Sequence, residues 1–368
     1  MELARLTTGD VVYRYDKSIV LVFSGPRKVL STSLYNGGYH EDFEAVFNRD
    51  MTQGSGMPCE SFASTYVESM KIVAERLGLA PELTSGMGTA AHMENASIVS
   101  RSYKELTVTA IVTGGVETNG GRVGDPASYY KTVEKKCGTI NIMLVIDADL
   151  PPGILARALV TCTEAKTAAL QELMAPSRYS TGLATGSGTD QTIVVANSES
   201  PLFFEGAGKH SKLGELIGLA VMAAVKEALK KQSGLTPARQ HDLLRRLRRF
   251  GVTEETLWQR YKEEAGADAL IKAQFIAALE KMTAVPALFP LGVLFIHLYD
   301  EHLWELLEKG ETWEAAEKLL KEMAAALRLK TQEGVLMQEG YMESLAMLLV
   351  RAVVERAART VSEANGCR

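Results

Sequence analysis

The hydrophobic pattern of this 368-residue chain changes once, at Gln232-Ser233-Gly234-Leu235-Thr236-Pro237. Before that stretch, short β-branched runs alternate with helical spacings, whereas from residue 238 to 364 apolar residues recur at helical steps without a convincing strand. The break predicts two domains: residues 1–232 as an α+β domain of layered sheet and helix, and residues 238–368 as an all-α domain. The length and the 46% hydrophobic content suffice for a large core and exceed the usual single-domain size.

The first domain opens with hairpin-like runs, Val11–Tyr15, Ile19–Phe23 and Lys28–Leu34, separated by turn residues, which predict antiparallel strands. Phe62, Tyr66, Met70, Val73 and Leu77 then recur at helical spacing, predicting a helix over residues 60–77 that packs on this early sheet. Further strands are expected at 106–112, 139–146 and 192–196, and helices at about 152–174 and 210–231, joined into one interleaved sheet. The order runs from hairpins to strand-helix alternation, which favours α+β layers over a doubly wound parallel sheet. In the tail, Leu303, Leu306 and Leu307, then Leu345, Leu348, Leu349 and Val353, predict a small bundle or a helical cap.

Charge and cysteine usage exclude several classes. A net charge of −5 gives no long-range pull toward nucleic acid. The run Arg245 to Arg249, opposite Leu243, Leu244, Leu247 and Phe250, reads as a solvated basic helix face, with an acidic partner surface as the alternative. Cys59, Cys137, Cys162 and Cys367 are scattered without zinc-type spacing, so reduced thiols and no metal site are expected. The start lacks the apolar core of a signal peptide, and residues 287–298 fall short of the ~20 that span a bilayer. A cytoplasmic chain without a membrane span follows as the expectation.

Four stretches of the first domain are dense in Gly, Thr, Ser and Asn: Ser33–Gly38, Gly86–Ala91, Thr113–Arg122 and Ala184–Ala196. Glycines let backbone N–H groups approach a ligand, and hydroxyls and amides supply short hydrogen-bonding arms, so together they predict a shared polar pocket; singly, each is a tight turn. Gly208-Lys209 fails the phosphate-loop pattern at Phe203 and His210. Lys166 lies on an apolar helical stripe with Leu155, Leu159, Cys162, Ala169 and Leu173, where it either snorkels to the edge or is held by a carboxylate or ligand. Glu164, two residues earlier, is turned away by roughly 200°. The glycine-rich entry Glu205–Ser211 offers N–H groups for an anion, and His210 within it ranks as a titrating candidate ahead of His40 and His92. His241, His297 and His302 fit solvated helix faces.

With these residues assembled, the first domain closely resembles the adenosylcobinamide amidohydrolase family of corrinoid-salvage enzymes. The resemblance rests on blocks in one order: Asn36-Gly37-Gly38, Gly88–Ala91, Thr113–Val116 through Asn119 to Pro126, Gly138–Ile142, Thr163–Thr167, Ala184–Asp190, and Gly208–His210 with Leu213-Gly214. It covers about residues 18–230 and implies hydrolysis of the amide joining the aminopropanol arm to the corrin ring, with cobalt arriving inside the substrate and no cofactor of the protein's own. The implied partner is the corrinoid small molecule, and a homo-oligomer is compatible with the sequence.

Amide hydrolysis needs an activated nucleophile, oxyanion stabilisation and a proton for the leaving amine. The expected scheme uses water activated by Asp190 or Glu164, with His210 as proton donor and N–H groups of Gly186, Ser187, Gly188 and Thr189, or of Gly206 to Lys209, as the oxyanion site. Substrate contacts are expected from Asn36, Gly37, Gly38, Thr113, Gly115, Asn119, Gly121, Arg122, Asp125, Asn141, Lys166, Thr185 and Lys209. A covalent route through Thr139, Ser187 or Thr189 stays open, as does a non-catalytic corrinoid-binding or regulatory protein.

Overall fold

The computed structural model describes residues 1–52, 61–127, 129–130, 139–265, 269–329 and 340–366, with side chains through residue 357. Its contacts divide them into Met1–Thr236 and Pro237–Arg368.

In the first unit the order is β1 (Glu2–Arg5), β2 (Val11–Tyr15), β3 (Ser18–Val22), β4 (Arg27–Ser31), β5 (Gly38–His40), β6 (Ala45–Asp50), α1 (Tyr66–Arg76), β7 (Thr84–Thr89), β8 (Ser97–Tyr103), β9 (Leu106–Gly114), β10 (Gly120–Gly121), β11 (Ile140–Ile146), α2 (Pro152–Glu172), β12 (Gly186–Ser187), β13 (Gln191–Asn197) and α3 (Lys212–Ser233). The single interleaved sheet expected from sequence is instead two main sheets, a five-stranded one ordered β1-β2-β3-β6-β7 and a six-stranded one ordered β5-β4-β13-β11-β9-β8. Side-chain alternation explains the stacking. On β11, Ile142, Leu144 and Ile146 pack with Leu155, Leu213 and Ile217 of the two long helices, while Met143 and Val145 pack with Val12, Ile19, Leu21 and Val46 of the other sheet. The far face of that sheet carries Val20, Ala45 and Phe47 against Met70, Val73 and Ala74 of α1. Four layers result: α1, the five-stranded sheet, the six-stranded sheet, and α2 with α3.

The sheets share a plan. In one, β2, β3 and β6 pair antiparallel and α1 crosses to β7, parallel to β6; in the other, β8, β9 and β11 pair antiparallel and α2 crosses to β13, parallel to β11. β4 leaves the first sheet after β3 and pairs with β13. Arg27, 1% exposed at this crossing, binds Asp10 through Nε (3.1 Å) and Nη2 (2.8 Å), and also reaches Asn197 Oδ1 at 3.0 Å.

Two local expectations shift. α1 starts at Tyr66 because Thr65 caps it, its Oγ1 accepting the Glu68 N–H and its own N–H reaching the Glu68 carboxylate. The glycine stretch from Gly86 is mostly strand β7. Gly86 is required there by the Phe47 ring, to which a Cβ would come within 2.1 Å.

Cys162 is buried in α2, and desolvation pushes its thiol up to about 12 despite the lowering influence of Lys166. Cys59, Cys137, Cys367 and Gly138 lie outside the described residues.

The second unit is helical: α4 (Pro237–Gln240), α5 (Leu243–Leu247), α6 (Glu254–Glu264), α7 (Lys272–Thr283), α8 (Leu288–Leu303), α9 (Lys309–Ala326) and α10 (Tyr341–Gly366). Leu257, Phe275, Leu279, Phe295, Leu320, Leu345, Leu349 and Val353 form its core. Leu303 and Leu306, expected inside, are exposed, because α8 buries Leu288, Phe295 and Ile296 instead. The arginine run is not wholly solvated: Arg249, whose side chain is 4% exposed, pairs with Asp300. Among the described residues no single helix is long and apolar enough to cross a membrane.

Candidate active site

β10 and β12 form a short ribbon that pairs Gly120 with Ser187 and Gly121 with Gly186. It draws two glycine-rich loops together, and the Val123 N–H donates to Thr185 Oγ1, 62 residues away, at 2.9 Å. Beside the ribbon lies a cavity of about 660 Å³. Its walls include Asn119, Gly121, Arg122, Asp125, Lys166, Thr185, Gly186, Ser187, Gly188 and Thr189 from the sequence-derived set. Val123, Tyr129, Thr163, Thr167 and Tyr179 complete much of the lining and were not candidates from sequence. Thr163, three residues before Lys166, was within reach of the helical spacing argument; the tyrosines depend on tertiary folding and leave no local signal.

Lys166 projects from α2 on the buried face that also carries Leu155, Cys162 and Ala169. Its side chain is 11% exposed, and Nζ lies 2.5 Å from Asp190 Oδ2, so a carboxylate holds it. Asp190 also accepts the Ser187 N–H on Oδ2 (3.0 Å), and the Ser187 hydroxyl (2.7 Å) and the Ile140 N–H (2.8 Å) on Oδ1. Four donors thus fill a carboxylate with about four acceptor positions. Asp190 braces both the loop and the lysine.

Gly186 permits this packing: a Cβ there would stand 2.3 Å from Asp190 Oδ2 and 2.8 Å from Lys166 Nζ. Gly186→Ala is expected to separate the pair and destabilise the unit by about 1–3 kcal/mol, read as a lowered Tm by calorimetry.

Elsewhere in the lining, partial burial pushes the Asp125 carboxyl upward. Hydrogen bonds from Ser177, Ser180 and the Arg122 N–H, with the Arg122 charge, outweigh it and hold the group below the ordinary carboxylate value. Asp125 therefore stays charged and pins the loop that presents Arg122.

Several other candidates lie elsewhere. Glu164 pairs with Lys209 at 3.1 Å on an exposed face, turned away from Lys166. His210 is exposed in the turn before α3. Asn36 Nδ2 donates to the Pro81 and Thr84 carbonyls, so Asn36, Gly37 and Gly38 serve the turn between β4 and β5. Thr113 and Asn141 are buried between the sheets, where Asn48 bridges them, donating to Thr113 Oγ1 and accepting from Asn141 Nδ2. Gly115 sits near Gln232 at the end of α3. The structure thus gathers two of the glycine-rich stretches into the cavity, and the other two do not line it.

Residues 3–237 match the adenosylcobinamide amidohydrolase family. The chain is 36% identical over 238 residues to an uncharacterised protein of Methanocaldococcus jannaschii, covering 61% of this chain and 89% of that protein. It is 30% identical over 227 residues to the adenosylcobinamide amidohydrolase of Methanosarcina mazei, covering 58% of this chain and 96% of that enzyme. The matched span takes in the ribbon, every cavity wall named above and the Lys166–Asp190 pair, and on that span the chain belongs to the adenosylcobinamide amidohydrolase family.

Proposed function

We propose that this chain hydrolyses the amide joining the aminopropanol arm to the corrin ring of adenosylcobinamide, releasing adenosylcobyric acid and aminopropanol. The supporting observation is a cavity within the family span that carries a buried ammonium, Lys166, on its wall.

Attack on an amide carbon places negative charge on the former carbonyl oxygen, and fixed donors aimed at that oxygen lower the barrier. Lys166 gives one N–H to Asp190 and has two more for such an oxygen. In the neighbouring loop the Ser187 N–H is committed to Asp190 Oδ2 and the Thr189 N–H to Ser187 Oγ, so the loop braces the lysine through Asp190 and the donor proposed is Lys166 itself. Asn119, Arg122 and Tyr179, which also line the cavity, suit the amide side chains of a corrin ring. Asp190 is here a positioning residue, since its acceptor positions are filled. Glu164 and His210, on exposed surface, are not used.

The test is to incubate the purified protein with adenosylcobinamide and follow adenosylcobyric acid and aminopropanol by chromatography and mass spectrometry. Both products are expected in equal amounts. Tight binding without product would make the chain a corrinoid-binding protein instead.

A further inference from the structure

We infer that Ser187 is the nucleophile of the hydrolysis proposed above, with Asp190 as the acceptor of its proton; the inference rests on that reading. Attack on an amide comes either from water or from a side chain that first takes the acyl group. A serine serves only where a base within hydrogen-bond reach can take its proton. Ser187 is half-buried on the cavity wall, and its hydroxyl donates to Asp190 Oδ1 at 2.7 Å.

Other hydroxyls of the wall spend their hydrogens differently. Thr163 Oγ1 donates to the Leu159 carbonyl at 3.0 Å, Thr167 Oγ1 to the Thr185 carbonyl at 3.1 Å, and the Tyr179 hydroxyl to Asn119 Oδ1 at 3.0 Å. Those three acceptors are amide oxygens, which accept a hydrogen bond without serving as bases, whereas Asp190 is a carboxylate. Its four filled acceptor positions leave no place for a water. One of them is filled by the proton that Ser187 has to lose.

The nucleophile and the oxyanion donor meet on that carboxylate. Oδ1 holds Ser187 Oγ, and Oδ2 holds Lys166 Nζ at 2.5 Å. Gly186, next to Ser187 in the chain, lets the ammonium come this close, since a Cβ there would stand 2.8 Å from Nζ. The Thr189 N–H donates to Ser187 Oγ at 3.3 Å. A hydroxyl oxygen has two lone pairs, so one remains for attack while the hydrogen stays aimed at Asp190.

In the first step Ser187 Oγ bonds to the amide carbon, its proton passes to Asp190 Oδ1, and the C=O electron pair moves onto oxygen. The negative charge leaves Asp190 for the new oxyanion and stays beside Lys166. As C=O re-forms, the C–N bond breaks, Asp190 gives its proton to the departing nitrogen, and the acyl group remains as an ester on Ser187. Water then attacks the ester carbon and loses a proton to Asp190, which returns it to Ser187 Oγ as the C–O bond to serine breaks. One water is consumed, and an acid and an amine are released. The bracing role of Asp190 thus gains a catalytic one.

The test is to quench the full chain in acid during turnover of adenosylcobinamide and to map the acyl group by peptide mass spectrometry. It is expected on the peptide that contains Ser187. Hydroxylamine added during turnover is expected to divert part of the product to the corrinoid hydroxamate, a result that a merely structural serine would not produce. Ser187→Ala is expected to lower kcat at least about 1,000-fold. An acyl group on another residue, turnover that yields no hydroxamate, or a Ser187→Ala kcat within about tenfold of wild type would overturn the assignment. Wild-type protein that makes no product would overturn the hydrolase reading itself, and the assignment with it.

Discussion

Lys166→Met is expected to lower turnover of adenosylcobinamide about 100- to 1,000-fold, the cost of removing one donor from a developing oxyanion, as measured by product formation at saturating substrate. The same change strands a carboxylate that is 12% exposed, and breaking a buried pair from one side destabilises by about 3–5 kcal/mol. A second substitution separates the two effects. Lys166→Met with Asp190→Asn removes both charges, so it is expected to regain part of the lost Tm and none of the lost turnover. If the double variant recovered turnover along with stability, Lys166 would be a packing residue and not a substrate contact.

Asp10→Ala is expected to be the most damaging single change to the fold of the first unit. Arg27 is fully enclosed and spreads its N–H groups over Asp10, the Thr8 and Pro26 carbonyls, Ser24 and Asn197. Without Asp10 its charge is left with Glu199, at 3.4 Å and 60% exposed. An uncompensated buried guanidinium costs about 3–5 kcal/mol, and at about 2–4 °C per kcal/mol for a unit of this size the Tm should fall by about 6–20 °C in calorimetry. The paired replacement of Arg27 by Met with Asp10 by Leu should recover much of that loss, because it removes both charges while keeping side-chain volume.

Much of the fold was legible because strands buried on both faces read as unbroken apolar runs. β11 and the centre of β13 are of this kind, and they and the threonine-interrupted β9 lie within a residue or two of where the sequence places them. The same property hid the number of sheets. Whether Met143 or Leu144 faces a helix or a second sheet is settled by what packs there, and a run apolar on both faces does not encode it. β7 reads as a loop because Gly86 answers to the Phe47 ring, and Gly88 to Met51 and Tyr66, rather than to strand propensity.

In the site, composition was a sound guide to the ribbon loops and Lys166 was singled out by its stripe. Its partner Asp190 lies 24 residues away and was foreseen only as a carboxylate of unknown position. Such a pair is made by the α2 crossover within one sheet, which periodicity within one element does not report.

The strand exchange at β4 has a consequence for solubility. β13 is an uncharged run from Thr192 to Ala196, and β4 covers one of its edges from Ser31 to Arg27. A chain that lost β4, or in which β4 came unlatched, would leave that edge bare, with a row of unpaired N–H and C=O groups on an apolar strand, the template on which chains add to one another. The Arg27 latch, 170 residues from Asn197 along the chain, thus protects against aggregation as much as against unfolding.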